Sequence, residues 1–150
     1  MRRKIDKNVE FDHFQKLSNE WWSPHGRFKV LHTITPLRIK YIKNNIYPVH
    51  KNNTHHNILL KGLEILDLGC GGGLVCEPLT RLGAKVTGID FVKNNIKTAK
   101  FHSKISNLNI TYLNQDLSSI KLNRQFDIIL MFEVIEHLNN WENIVKKIFK

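Results

Sequence analysis

A glycine-rich segment and a carboxylate about 20 residues after it form the pattern with the clearest chemical meaning in this chain. Residues 65–73 read Ile-Leu-Asp-Leu-Gly-Cys-Gly-Gly-Gly, and residues 86–90 read Val-Thr-Gly-Ile-Asp. Glycines let a backbone approach a ligand closely, and a carboxylate at the tip of the next strand can accept hydrogen bonds from both ribose hydroxyls. The pattern predicts a nucleotide-cofactor site around Gly69 and Asp90. The alternative is a tight strand-to-helix turn with no ligand.

The glycine spacing argues against a dinucleotide as the cofactor. Dinucleotide folds use G-x-G-x-x-G with the pyrophosphate on a helix N-terminus, and the position of the third glycine is taken by Leu74. Asp67, just before the loop, would also repel a pyrophosphate in a partly dry cleft. A cationic cofactor is therefore the better prediction.

A second cluster with chemical capability is Glu133, Glu136 and His137. On a helix, residues i, i+3 and i+4 share one face, so these side chains would converge. Two carboxylates and an imidazole can hold a divalent cation, whose identity the composition leaves open. Alternatively, the glutamates favour a helix N-terminus through its dipole, and His137 is a general base or a packed residue.

Alternating strands and helices would position these residues. The pattern predicts strands at 64–68, 85–89, 110–113 and 126–131, with helices at 74–82 and 94–103. This is the α/β class, with a doubly wound parallel sheet that binds ligands at the carboxyl ends of its strands. Gly69, Asp90, Asp116 and Phe132 all fall at those ends. Asp116 is either an acceptor for an adenine amine or a cap of the next helix.

Residues 1–57 are predicted to form a helical segment and a loop, ahead of a half-domain over 58–150. The apolar residues Phe11, Phe14, Leu17 and Trp21 recur at helical spacing, with Trp22 beside them. A second helix is predicted to begin with Thr35 as N-cap and Pro36 at the first helical position, and to end near Asn44 and Asn45. Residues 47–57 have no periodicity and are predicted to be the loop.

Composition limits the class of protein. With 150 residues, 41% of them hydrophobic and 24% charged, the chain suits one globular domain. The net charge of +10 suggests an acidic partner, either nucleic acid or an anionic membrane surface, but the lysines are scattered. Two cysteines predict a reducing compartment, and no apolar stretch approaches about 18 residues. We expect a protein that is soluble or at most peripheral to a membrane.

Several segments together resemble the ubiquinone biosynthesis O-methyltransferase family, whose members are class I S-adenosylmethionine-dependent methyltransferases. The resemblance rests on the Trp21-Trp22 pair, Gly-Arg-Phe-Lys-Val-Leu-His at 26–32, Thr-Pro-Leu-Arg at 35–38, the glycine loop at 66–73 and Glu-Val-Ile-Glu-His at 133–137. Many methyltransferases share the glycine loop, whereas the tryptophan pair and the Pro-Leu-Arg helix are much more specific motifs. A Rossmann-like sheet preceded by helices is the fold that the resemblance implies.

The resemblance also implies which residues bind S-adenosylmethionine. They are Arg38, Gly69, Asp90 and Phe132. A guanidinium fork pairs well with a carboxylate, which suits Arg38 to the carboxylate of the cofactor. Phe132 departs from the smaller or unbranched residue expected there, although a backbone contact would survive the change.

The implied reaction is O-methylation of polyprenylated phenols or catechols, namely 2-polyprenyl-6-hydroxyphenol and 3-demethylubiquinol. Mg²⁺ on Glu133, Glu136 and His137 would lower the pKa of the acceptor hydroxyl, or His137 would accept the proton as the catalytic residue. Other ubiquinone-biosynthesis enzymes are implied partners, and nucleic acid is not expected. The N-terminal aromatics would either touch a membrane or cover the cofactor pocket. The implied location is the bacterial cytoplasm, peripheral to the inner membrane, or the matrix side of the mitochondrial inner membrane.

The sheet of a class I methyltransferase has seven strands, and four are predicted here. We therefore expect a truncated or split chain that lacks the C-terminal strands and most of the substrate wall, with an apolar edge at 126–131. Two alternatives remain open. One is another small-molecule or tRNA methyltransferase, and the other is a noncatalytic cofactor-binding fragment.

Overall fold

Four parallel strands form the centre of the protein, a computed structural model of which describes residues 18–46, 59–120 and 122–148. The strands are β1 (Glu64–Leu68), β2 (Lys85–Asp90), β3 (Thr111–Asn114) and β4 (Ile128–Leu130). Their order is β3-β2-β1-β4, and all three pairings are parallel. The predicted Rossmann-like doubly wound sheet is confirmed.

Helices cover the sheet and connect its strands. They are α1 (Lys29–Ile46), α2 (Cys76–Arg81), α3 (Lys93–Ile105) and α4 (Trp141–Ile148), with short 3-10 helices at Ser18–Glu20, Leu117–Ser119 and Ile135–His137. The helices predicted at 74–82 and 94–103 correspond to α2 and α3. None of the helices in the described part of the chain is long and apolar enough to cross a membrane.

β1 lies at the point where the strand order reverses. Its neighbours are β2, with Leu68 opposite Ile89, and β4, with Asp67 opposite Leu130. The side chains of Ile65 and Leu66 on β1 are completely buried but pack in different apolar clusters, one on each face of the sheet. Burial on both faces explains the continuous apolar run in the sequence. The reversal opens a crevice above the carboxyl end of β1.

The start of α1 corrects a prediction. Thr35 is not an N-cap, because α1 begins at Lys29 and the Thr35 hydroxyl donates to the Leu31 carbonyl within the helix at 2.7 Å. Pro36 likewise lies inside α1 rather than in its first turn. Phe28, at the helix start, is buried in a cluster with Trp21 and Leu74, and this distant packing sets the helix start.

Some predictions concern residues outside the described ranges. Phe11, Phe14 and Leu17 lie there, as do the predicted loop at 47–57 and the boundary between 57 and 58, so the division into two segments stays a prediction. Within the described residues, β4 is an edge strand with β1 as its neighbour, as the sequence predicts.

Candidate functional site

A cleft of about 390 Å³ lies at the carboxyl ends of β1, β2 and β4. This volume falls in the range of about 300–1,000 Å³ that is usual for small-molecule sites. The four residues predicted to bind the cofactor, Arg38, Gly69, Asp90 and Phe132, all line it. Residues about 95 positions apart in the sequence thus meet in one cleft.

The glycine loop closes the end of β1 against β2. The N–H groups of Gly69 and Cys70 both donate to the Ile89 carbonyl, at 2.7 and 3.0 Å. Gly69 has φ +75°, and a Cβ atom there would lie 2.3 Å from a methyl of Val134. Position 69 therefore needs glycine both for its left-handed backbone and for the close approach of a side chain.

The carboxylate of Asp90 ties the loop to the start of α3. Its Oδ2 accepts from the Gly71 N–H at 2.9 Å, and its Oδ1 accepts from the Val92 N–H at 2.8 Å and from Asn95 Nδ2 at 3.3 Å. Burial raises the pKa of Asp90, and these hydrogen bonds oppose that rise. A carboxylate has about four acceptor positions, so Oδ2 retains capacity for a ligand donor.

The tryptophan pair covers the glycine loop. Trp21 Nε1 donates to Asn95 Oδ1 at 2.8 Å, and the indole stacks on Phe28 with ring centroids 3.9 Å apart. Trp22 Nε1 donates to the Gly72 carbonyl at 2.9 Å. Both indoles thus pack against the protein, which favours the pocket-covering interpretation over membrane contact for these two residues.

Arg38 reaches the cleft from α1. Its Nη2 lies 2.7 Å from Oε1 of Glu133, and its guanidinium carbon lies 5.0 Å from the centre of the Phe132 ring. The Arg38 side chain is 12% exposed, whereas that of Glu133 is 59% exposed. The cation is therefore held in the wall of the cleft by a carboxylate and an aromatic face.

Asp67 lies among the residues that line the cleft, 3% exposed. The Cys76 thiol donates to its Oδ2 at 3.2 Å. Burial raises the pKa of Asp67 to about 7, with the nearby Asp90 adding to the rise and the Cys76 hydrogen bond and Arg38 opposing it. The sequence indicates Asp67 as part of the motif, but its pairing with Cys76 follows from the packing of α2 on β1.

The predicted metal ligands are not on one helix face. Glu133 lies in a bend with φ +54°, and only residues Ile135–His137 form a short 3-10 helix. The bend arises where buried Val134 packs over the glycine loop. His137 lines the cleft with Glu133, but exposed Glu136 is outside its lining. Among the described residues, no three His, Cys, Asp or Glu side chains are placed to hold a metal.

The arrangement of Glu133, Glu136 and His137 therefore does not fit a three-ligand Mg²⁺ site. Glu133 is paired with Arg38, and a bend at Glu133 replaces the continuous helix on which the three side chains would have shared a face. Mg²⁺ on these residues stays a prediction, and no chemical step is assigned to it.

Asp116 occupies the carboxyl end of β3 and lines the cleft. Its Oδ1 accepts from the Ser118 N–H at 2.8 Å at the start of the 3-10 helix Leu117–Ser119. The structure therefore confirms that Asp116 caps this 3-10 helix. Its place in the cleft leaves the contact with an adenine amine as a prediction.

The parallel sheet, the strand-to-helix glycine loop and the carboxylate at the end of β2 define the class of protein. The chain belongs to the methyltransferase domain family, which matches residues 66–150.

Curated relatives narrow the comparison further. The chain is 45% identical over 138 residues to the ubiquinone biosynthesis O-methyltransferase of Pelagibacter ubique (strain HTCC1062), covering 92% of this chain and 57% of that protein. It is 47% identical over 132 residues to the protein of that name from Rhodopseudomonas palustris (strain TIE-1), covering 88% and 52%. The predicted resemblance is confirmed, and the chain spans about half the length of these relatives.

The fold also matches solved structures. Magnesium protoporphyrin IX methyltransferase from Synechocystis PCC 6803, solved with bound SAM, superimposes with a TM-score of 0.72 at 22% identity, covering 99% of this chain and 73% of that one. The plantazolicin methyltransferase BpumL gives 0.63 at 18% identity, covering 97% and 56%. At these identities the likeness shows the fold alone.

Proposed function

We propose that the chain is the cofactor-binding part of an S-adenosylmethionine-dependent O-methyltransferase that acts on polyprenylated phenols or catechols in ubiquinone biosynthesis. The proposal rests on the observation that one cleft is lined by all four predicted cofactor-binding residues, Arg38, Gly69, Asp90 and Phe132. The names of the relatives at 45% and 47% identity support the acceptor class.

The residues of the cleft suit the parts of S-adenosylmethionine. Arg38 would hold the carboxylate, and the free acceptor capacity of Asp90 would take a ribose hydroxyl. The glycine loop, with Gly69 at its start, would lie against the methionine part. Buried Asp67 suits a cationic ligand, because a nearby positive charge favours its ionised form. When bound, the cofactor supplies an electrophilic methyl group.

His137 is the proposed catalytic base. It lines the same cleft as Arg38 and Phe132. The acceptor hydroxyl must lose a proton before its oxygen attacks a methyl group, and a neutral imidazole can accept that proton. The walls of the cleft would hold the oxygen near the methyl group, and this positioning contributes much of the rate.

We infer that the protein works at the surface of a membrane, because its proposed acceptors carry apolar tails. Val30, Leu37 and Tyr41 on α1 are each 65–66% exposed and recur at spacings of seven and four, which place them along one face. Helix α1 contains no Asp or Glu. An apolar row on a helix without carboxylates suits contact with an anionic lipid surface. The cytoplasmic face of a bacterial inner membrane, or the matrix face of its mitochondrial counterpart, is the proposed location.

Calorimetry with S-adenosylmethionine tests the cofactor assignment. Arg38→Ala should weaken binding about 10- to 100-fold, because it removes a hydrogen bond to a charged group. Lys97→Ala removes one positive charge from the exposed side of α3 and should leave the affinity unchanged. Absence of binding by the folded wild-type chain would overturn the proposal.

A radiolabelled methyl-transfer assay with a prenylated catechol tests the reaction, with and without Mg²⁺. Methyl transfer by the wild type supports the proposed enzyme activity. A lower rate with His137→Ala supports His137 as the base. Cofactor binding without transfer favours the noncatalytic fragment. Stimulation by Mg²⁺ that Glu136→Gln abolishes would support the metal prediction.

A further inference from the structure

The ion pair between Arg38 and Glu133 is unequal in its surroundings. Arg38 is fixed in the cleft wall, 12% exposed and stacked on Phe132, while the Glu133 side chain is 59% exposed and reaches the guanidinium from the solvent side. The Nη2–Oε1 distance of 2.7 Å is that of a charge-assisted hydrogen bond. The Glu133 carboxylate is thus already paired with Arg38, the residue that the proposed function assigns to the carboxylate of the cofactor.

Glu133 holds this position with a strained backbone. Its φ is +54°, a left-handed conformation that is unfavourable for a residue with a side chain. The neighbours on both sides fix the turn, since Phe132 lies under the Arg38 guanidinium and buried Val134 packs over Gly69. Glu133 is therefore the part of the contact that can be released without disturbing the core.

Other cations do not offer the cofactor an equivalent partner. In the described part of the cleft wall, the Lys and Arg residues are Arg27 and Arg38. The Arg27 side chain is 67% exposed and 3.9 Å from Glu20, so it lies in a mostly aqueous setting where an ion pair contributes little. Two carboxylates would therefore compete for Arg38.

We propose that Glu133 is an internal substitute for the cofactor's carboxylate, and that cofactor binding exchanges one carboxylate for the other on Arg38. The inference rests on the proposed function. The exchange releases Glu133 beside His137, which lines the same cleft. The affinity for the cofactor is thus set by the difference between two carboxylate contacts. The released Glu133 side chain alters the charge around the proposed base only after the cofactor is in place.

A pair of ligands and a pair of variants test the exchange. S-adenosylhomocysteine carries the amino-acid carboxylate, and 5′-methylthioadenosine carries the same nucleoside without it. By calorimetry on the full chain, Glu133→Gln should lower the Kd for S-adenosylhomocysteine about 2- to 5-fold, the range for a partly exposed ion pair. It should leave the Kd for 5′-methylthioadenosine unchanged. Glu142→Gln, which makes the same charge change at an exposed position outside the cleft wall, should alter neither.

The Arg38→Ala background separates exchange from general electrostatics. There, Glu133→Gln should have no effect on S-adenosylhomocysteine, because the contested cation is gone. An equal improvement with and without Arg38, or equal improvement for both ligands, would overturn the exchange. Unchanged binding by Glu133→Gln would overturn it too while leaving the proposed function intact. Failure of the folded wild type to bind either ligand would overturn both.

Discussion

The Cys76 thiol donates to the Asp67 carboxylate at 3.2 Å, in a part of the protein where Asp67 is 3% exposed and Cys76 is fully buried. Cys76 begins α2, and Asp67 lies within β1. The contact therefore joins the first strand to the first helix of the Rossmann-like unit. Burial raises the pKa of both groups, and that of Asp67 to about 7.

This raised pKa predicts how stability changes with pH. Asp67 is protonated in the folded state up to about pH 7, but in the unfolded chain it ionises near 3.8. Between pH 3.8 and about 7, folding therefore takes up a proton at Asp67. The free energy of unfolding of the wild type falls as pH rises through this range, by at most about 1.4 kcal/mol per pH unit. Urea unfolding from pH 5 to 8 should show Asp67→Asn gaining on the wild type up to about pH 7, then staying level.

Asp127→Asn is the matched control for this pH series, because Asp127 is exposed and outside the cleft wall. Its stability should follow that of the wild type in parallel from pH 5 to 8. The contradicting outcome is a difference in the free energy of unfolding between wild type and Asp67→Asn that does not change from pH 5 to 8. It would show that Asp67 is ionised in the folded protein at all these pH values.

A second prediction concerns Gly72 under the indole of Trp21. A Cβ atom at Gly72 would lie 2.4 Å from Cγ and 2.5 Å from Cβ of Trp21. Gly72→Ala should therefore displace the indole from Asn95 and lower the free energy of unfolding by about 1–3 kcal/mol. In the Trp21→Gly background, which also removes the Cβ atom of residue 21, the same alanine should cost little. An undiminished cost there would mean that another contact excludes the side chain.

The strands could be predicted from the sequence because their signals are local. The apolar run of β1 and the glycines after it reflect burial on both faces and close backbone approach within a few residues. Gly69 and Asp90 follow from those strand ends. Arg38 does not, because no local pattern connects a helix near the N-terminus with the cleft, and only the family resemblance indicated it.

The errors occur where distant residues decide the local structure. Helix α1 begins before Thr35 because Phe28 packs in a cluster with Leu74, and the predicted helix at Glu133 is replaced by a bend where Val134 packs over Gly69. In each case, capping or spacing rules describe the segment alone. The packing partner lies elsewhere in the chain, so the rule and the structure diverge.

The Tyr112 hydroxyl gives a prediction of increased stability. Tyr112 is 3% exposed, and within the described residues its hydroxyl has no hydrogen-bond partner. A buried polar group without a partner costs free energy, so Tyr112→Phe should raise the free energy of unfolding by about 1 kcal/mol. Tyr41→Phe makes the same change at a residue that is 65% exposed and should have no effect in urea unfolding. Destabilisation by Tyr112→Phe would show that the hydroxyl forms a hydrogen bond in solution.

Asp90 should matter for folding as well as for ligand binding. Asp90→Ala leaves the buried N–H groups of Gly71 and Val92 without their acceptor, and each such loss costs about 1–3 kcal/mol. Urea unfolding should therefore show a total loss of about 2–6 kcal/mol. Asp116→Ala is the comparison, because that exposed carboxylate also caps a short helix at a strand end and should cost only about 0.5–2 kcal/mol. Equal stability of Asp90→Ala and wild type would mean that the loop keeps its shape without this carboxylate. Weak cofactor binding by Asp90→Ala would then report the ribose contact alone.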